Sequence, residues 1–241
     1  HRRRLHGRAR RITIDLDPTD DPTQGAQQLS FFNGHYDSWC YLPAVGLLTF
    51  DDEPEQYLFT AILRRGNAAA TRGARGLLLR TLALLRLAFP GARFRVRLDG
   101  GFASPELLDV LDAEPGVEYL VAMAENVVLT RAAAPLMAIA RPLAEQTAET
   151  AHVYGETSYQ AGTWARPRRV LIKAEVVRLT GRDPRDNPRF VITCARRRAF
   201  STRPSTVAAA TSRIGSKNCT TGSISIARAA AASGPTNYVC S

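Results

Sequence analysis

Two stretches, residues 12–25 (ITIDLDPTDDPTQG) and 93–104 (RFRVRLDGGFAS), hold acids where they could do chemistry. Apolar residues alternate at Ile12, Ile14 and Leu16, and again at Phe94, Val96 and Leu98, the period-2 signature of a strand. Each strand runs into carboxylates: Asp15 and Asp17 in the first, Asp99 in the second. A strand end fixes a carboxylate oxygen, and the small residues beyond it let a substrate backbone come close. Two such acids on neighbouring strands could share Mg²⁺, a hard cation that takes oxygen ligands and keeps waters and phosphates in its shell. The same acids also suit a plainer role, because Asp forms turns by bonding its own backbone two residues on.

The elements that must position these acids alternate along the chain. Residues 12–17, 28–33, 36–50 and 56–63 read as strands, with Asn33-Gly34 as a hairpin turn and His35 as a polar turn residue. An antiparallel sheet is expected there. Residues 70–89 read as a helix with Leu78, Leu82, Leu85 and Phe89 on one face, stopped by Pro90-Gly91. The Asp99 strand follows. Pro105 then opens a short helix with acids near its positive end. A strand over 117–123 comes next, so strands and helices alternate and parallel pairing is expected. Residues 127–150 read as an Ala-rich helix broken at Pro135 and Pro142. Residues 152–193 are strand-like, split by GTWARPR and by a loop at RDPRDNPR.

The chain has 241 residues and a net charge of +10, unevenly placed. Residues 1–11 carry six Arg and no acid, and residues 196–241 carry seven basic residues and no acid. The span between them is slightly acidic. A basic arm suits salt-sensitive phosphate binding or a solvated terminus. No signal peptide is visible, no apolar run suggests a membrane span, and a cytoplasmic, nucleoid-associated protein is expected. The first residue is His1, which suggests a fragment truncated at its N-terminus.

The runs IDLDPTDDPTQGAQQ, FFNGHYDSWCYLPAVGLLTF and RFRVRLDGGFASPELLDVLDAEPGVEYLVAMAEN resemble the DDE transposases of bacterial insertion sequences, in the branch called transposase DDE group 1. The likeness covers about residues 12–193. It implies an α/β, RNase H-like mixed sheet flanked by helices, with a β-rich insertion, and cutting and joining of DNA with two Mg²⁺ ions. The first acid of the family falls on Asp17, with Asp15 as the fallback, and the second on Asp99. Asp17 would share both ions and Asp99 would hold one. The insertion would contact transposon ends through an aromatic and basic mix: Tyr154, Tyr159, Trp164, Arg166, Arg168 and Arg169. DNA at transposon ends and target is the implied partner, with a homodimer possible. The expected layout is a basic arm over 1–11, a catalytic core over 12–126, a helix plus β-rich insertion over 127–193, and a tail.

That tail, from about Cys194, contains no Leu, Phe, Trp, Asp or Glu over residues 201–241, and disorder is expected. The third acid of the family should lie there and is absent. A frame shift would account for it. Back-translated with GC-leaning codons and read in a shifted frame, residues 210–241 become a charged amphipathic helix, with a Glu codon spanning those of Ser212 and Arg213. Cys219 and Cys240 would then be accidents of translation, while Cys40 and Cys194 read as small residues of a reduced protein.

Three functions remain open. The first is a transposase remnant, inactive for want of its third acid. The second is a non-catalytic DNA-binding fragment that docks on transposon ends or on full-length transposase. The third is an unrelated RNase H-like nuclease that recruits Glu106 or Asp109.

Overall fold

The structure, a computed structural model, describes residues 8–194. Expectations for the N-terminal arm over residues 1–7, and for everything past residue 194, lie outside the described residues.

The first strand, β1 (Arg11–Pro18), is central. On one side it pairs antiparallel with β5 (Ala44–Phe50), which pairs antiparallel with β6 (Tyr57–Ile62). On the other side it pairs parallel with β7 (Arg93–Leu98), which pairs parallel with β8 (Val117–Met123). Antiparallel strands followed by parallel ones agree with the sequence reading, but the expected strand over 36–50 is two strands in different sheets, and the one near 28–33 leaves the main sheet. Between β1 and β5 lies a small three-stranded sheet of β2 (Asp21–Pro22), β3 (Phe31–Asn33) and β4 (Ser38–Tyr41). The turn at Asn33-Gly34 joins β3 to β4 as the sequence indicates.

Residues past β8 do not form a separate layer. The strands β9 (Ala151–Tyr159), β10 (Arg168–Val177) and β12 (Arg189–Thr193) extend the same sheet, with β12 antiparallel on β8 and β10 between β12 and β9. The expected loop at RDPRDNPR contains the short strand β11 (Arg185–Asp186). Its pairing of Val176 with Asp186 continues the register that sets Lys173 against Arg189. Thus β11 and β12 form one edge, interrupted at Pro188, which has no N–H to give.

Three helices pack on one face of this nine-stranded sheet. In α1 (Ala74–Ala88), Leu78, Leu82 and Leu85 are buried together with Phe89 just beyond it, the face that the Leu spacing marked. Each such side chain contributes about 1.5–3 kcal/mol. In α2 (Pro105–Ala113), Ser104 caps the start by accepting from the Leu107 amide, and Leu107, Leu108 and Leu111 are buried. These residues share one core with Ile12, Ile14, Leu16, Val96 and Leu98.

The third helix corrects the sequence reading. It runs unbroken as α3 (Val127–Thr147) through Pro135 and Pro142. Both prolines are on the exposed side, as are Arg131 and Ala138, whose carbonyls lose their partners, so water can serve them. By length and composition α3 could cross a membrane. Here it is amphipathic: Leu129, Ala133, Met137, Ala140 and Ala144 are buried toward the sheet, the last three against Ala174 and Val176.

The small sheet is clamped onto the chain that follows β6. Gly66 is pressed so closely on it that an added Cβ would meet the Cys40 carbonyl oxygen at 2.1 Å and that of Phe31 at 2.5 Å. In contrast, Gly76 in α1 has nothing within 4 Å of an added Cβ. Gly66→Ala should therefore destabilise by about 3 kcal/mol or more. Gly76→Ala should stabilise by about 0.5–1 kcal/mol through helix propensity alone. Urea titrations of the two variants beside the parent check both signs.

Candidate metal and DNA site

The register of β1 on β7 places the acids. Leu16 stands beside Leu98, both buried in the helix-covered core. One residue further, Asp17 and Asp99 stand beside each other at the ends of the two strands. Alternation turns them to the other face, the face of Asp15 and Arg97. Asp99 keeps extended backbone, φ −76 and ψ 178, so the strand direction holds up to it. Asp17 is exposed and Asp99 half-buried. Each of the two adjacent strands thus ends on an aspartate one residue past the paired leucines.

Asp15 is spoken for. Arg97, its neighbour on β7, reaches it with both arms of the guanidinium fork, one at 2.5 Å from Nε to Oδ1. Both side chains are less than a fifth exposed. A carboxylate satisfied in this bidentate way is a poor metal ligand, which favours Asp17 over the fallback.

The surroundings of Asp99 are tight and built from distant parts of the chain. Its Oδ1 accepts from the Gly101 amide at 3.0 Å. A Cβ on Gly101 would meet the Ala70 methyl at 2.9 Å and that same Oδ1 at 3.3 Å, so glycine is needed there. Ala70 is held in turn by Arg64, whose guanidinium donates to the carbonyls of Leu42 at 2.9 Å, Ala69 at 3.3 Å and Ala70 at 3.1 Å. Burial lowers the Arg64 pKa, and the charge of Asp99 opposes that shift. The Asn33 side chain ties the small sheet to the same segment by donating to the Gly66 carbonyl at 2.6 Å. Sequence reasoning missed Arg64, although the glycine two residues after it marks a close approach.

A cleft of about 640 Å³ opens beside Asp99. Its floor is the end of β8 with Glu125, and one lip is the β3–β4 turn with His35 and Tyr36. The far wall is Arg185 and Arg189 at the β11–β12 edge. None of these flanking residues except His35 was singled out from the sequence, and His35 only as a turn residue. Glu125 accepts from Thr130 Oγ1 at 2.9 Å. Among the described residues, no group of three or more His, Cys, Asp or Glu is placed to hold a metal.

The aromatic and basic residues expected to face DNA gather elsewhere, around the start of β10, three strands across the sheet from β7. Trp164 is buried at 5% exposure, with Tyr159 edge-on at 5.5 Å and the Arg168 guanidinium 5.0 Å over its ring. The Arg168 side chain is 3% exposed and binds two α2 acids, Asp112 at 2.9 Å and Asp109. Neither Trp164 nor Arg168 presents a surface to a bound strand here. Burial pulls the Arg168 pKa down, but Asp112 and Asp109 outweigh it and hold it above its ordinary value. Burial, and then the hydrogen bond it gives to Asp112 at 2.7 Å, push the Tyr119 hydroxyl pKa up. Arg166 is exposed and bridges to Asp112 at 2.8 Å, while Arg169 pairs with Glu156 on β9. Tyr154 belongs to a small cluster with Leu120, Leu171 and Val191. Asp109 is paired with Arg168; Glu106, on the same helix, is exposed.

With this geometry in view, the comparison with known families is decisive. The model of the transposase DDE domain group 1 matches residues 3–210, and the chain belongs to that family. The mixed sheet with its helices is consistent with an RNase H-like DDE fold. Family membership implies a DNA substrate and the use of divalent metal. No curated protein matches the chain.

The buried cluster around Arg168 makes a prediction of its own. Arg168→Met leaves Asp112 with only the exposed Arg166 as a counter-charge. It should destabilise by about 3 kcal/mol, the lower end for breaking a buried pair. Arg166→Gln should cost less than about 1 kcal/mol. Urea midpoints of the two variants should rank in that order.

Proposed function

We propose that the chain is a piece of a bacterial insertion-sequence transposase whose Asp17 and Asp99 form the metal-holding half of a DNA-cutting and strand-joining centre. One observation supports this reading: Leu16 stands beside Leu98, and the next residues on the two parallel strands are Asp17 and Asp99. The donor set suits a hard cation. Mg²⁺ is commonly bound by one or two carboxylates, with waters and substrate phosphates completing its shell. Asp17 and Asp99 would supply those carboxylates, and Gly100, without a side chain, leaves the cleft wall beside Asp99 low. A divalent ion bound there supplies Lewis-acid charge to a phosphate under attack.

This chain's own contribution is positioning. Gly101 and the Arg64–Ala70 segment fix the Asp99 carboxylate, and Arg97 keeps Asp15 from competing for the cation. In the reaction, a water or a 3′-hydroxyl oxygen bonds to phosphorus as the bond to the leaving oxygen breaks; the nucleophile's proton passes to solvent and the leaving oxygen takes one up from it. A third carboxylate is needed to complete the shell; Glu125 shares the cleft, but among the described residues no three such groups are placed to hold a metal together. The tail that should carry it reads as out of frame. We therefore infer that docking on DNA survives in this chain and turnover does not.

Two measurements test the reading. Calorimetric titration with Mn²⁺ should show weak binding that Asp99→Asn reduces at least tenfold and Asp15→Asn leaves within about twofold. Equal loss in both variants would assign the metal to Asp15. In a nicking assay with Mg²⁺ or Mn²⁺ on transposon-end DNA, the chain should show almost no cleavage. Robust turnover would overturn the inferred inactivity while leaving the metal assignment standing.

A further inference from the structure

The cleft beside Asp99 has walls of opposite charge. On one side stand Asp99 and, next to it in register, Asp17; Glu125 lies on the floor; Arg185 and Arg189 form the other wall. A cleft built only to hold a cation has no use for a basic wall. A cleft that holds a phosphodiester strand against a cation needs one, because each further phosphate brings its own negative charge.

We infer that Arg185 and Arg189 bind phosphates of the DNA strand whose reacting phosphate lies at Asp17 and Asp99, and that this wall is the strand's track through the site. The inference rests on the proposed function and goes beyond it by naming the binding surface. The placement has three supports. First, β12 is two strands from β7, across β8, which at about 4.8 Å per strand is about 10 Å, a span of a few nucleotides of one strand. Second, a 640 Å³ cleft has room for a strand's backbone with a nucleotide or so. Third, the arginine is available: Asp186, beside Arg185, is turned to Arg141 at 2.7 Å, and Arg185 is exposed with no ion pair among the described residues.

The competing surface is the one that the sequence suggested, around Arg166 and Arg169. Arg169 is engaged by Glu156 and Arg166 by Asp112, so each would have to give up a carboxylate to meet a phosphate. Arg185 gives up nothing. Electrostatics therefore favours Arg185, with Arg189 beside it on the same cleft wall.

The test is fluorescence anisotropy of a labelled single-stranded oligonucleotide with the full 241-residue chain, over a series of salt concentrations. Arg185→Gln with Arg189→Gln should weaken binding at least fivefold. It should also reduce the slope of log affinity against log salt by about 1.4, because each phosphate neutralised on a single strand adds about 0.7. Arg185→Glu alone, at an exposed position, should weaken binding with the thermal midpoint unchanged, which separates a weaker grip on phosphate from unfolding. Arg166→Gln with Arg169→Gln should leave the slope as it was. If that second pair loses affinity and the first does not, the assignment falls and the transposase reading stands. If the parent chain binds no DNA at any salt concentration, the reading beneath the assignment falls with it.

Discussion

The parallel pairing of β1 with β7 is the constraint on which the rest of the site depends. Its register is fixed twice. On the helix-covered face Leu16 meets Leu98, and on the other face Asp15 meets Arg97. Slipping either strand by one residue would turn its aspartate into the apolar core, at a cost of several kcal/mol for an unpaired charge. A half-buried ion pair such as Asp15–Arg97 adds little net stability once desolvation is counted. A one-residue slip would also part Asp15 from Arg97, so the pair and the leucines favour the same alignment, in which Asp17 and Asp99 follow Leu16 and Leu98.

The alignment would achieve little if the loop after β7 could wander. Arg64 prevents that by a route that spans the first third of the chain. Its guanidinium gathers carbonyls from Leu42, Ala69 and Ala70, and Ala70 lies against Gly101, which holds Asp99. The small sheet takes part because Asn33 and the close approach at Gly66 fasten the same segment from the other side. An excursion between β1 and β5 that looks ornamental thus braces a carboxylate on β7. The brace ends on backbone carbonyls and a glycine, and its one charge, that of Arg64, is opposite in sign to Asp99.

How much of this could be read in the sequence depends on how local each signal is. Period-2 alternation in β1 and β7 and the Leu78–Leu82–Leu85 stripe of α1 are local, and the structure follows them. The place of β9, β10 and β12 was not legible, because edge pairing is nonlocal and a strand does not state its neighbour. The prolines of α3 misled for a related reason. Pro135 disrupts a helix only if the freed carbonyl is also denied water, and exposure is a tertiary property. Trp164 and Arg168 misled most. An aromatic beside arginines fits a nucleic-acid surface, yet the acids that claim Arg168 sit on α2, more than fifty residues earlier. Composition gives the charges; only the fold decides which of them cancel inside.

The cleft is defined by the charges that the fold sends to it. Arg97 neutralises Asp15, and the Arg168 cluster consumes Asp109 and Asp112. Asp17 and Asp99 form the acidic side, with Glu125 near them and the charge of Arg64 acting on Asp99 through the protein. Two like unit charges about 5 Å apart repel by about 3 kcal/mol at an effective dielectric constant near 20. A phosphate cannot approach two such carboxylates unaided. Charge of the opposite sign must come from a cation between them or from the wall opposite. The fold puts carboxylates where a cation can bridge them to a phosphate, and arginines where the strand must continue. The acidic side alone would repel a polyanion, and so the division of charge across the cleft suits the substrate.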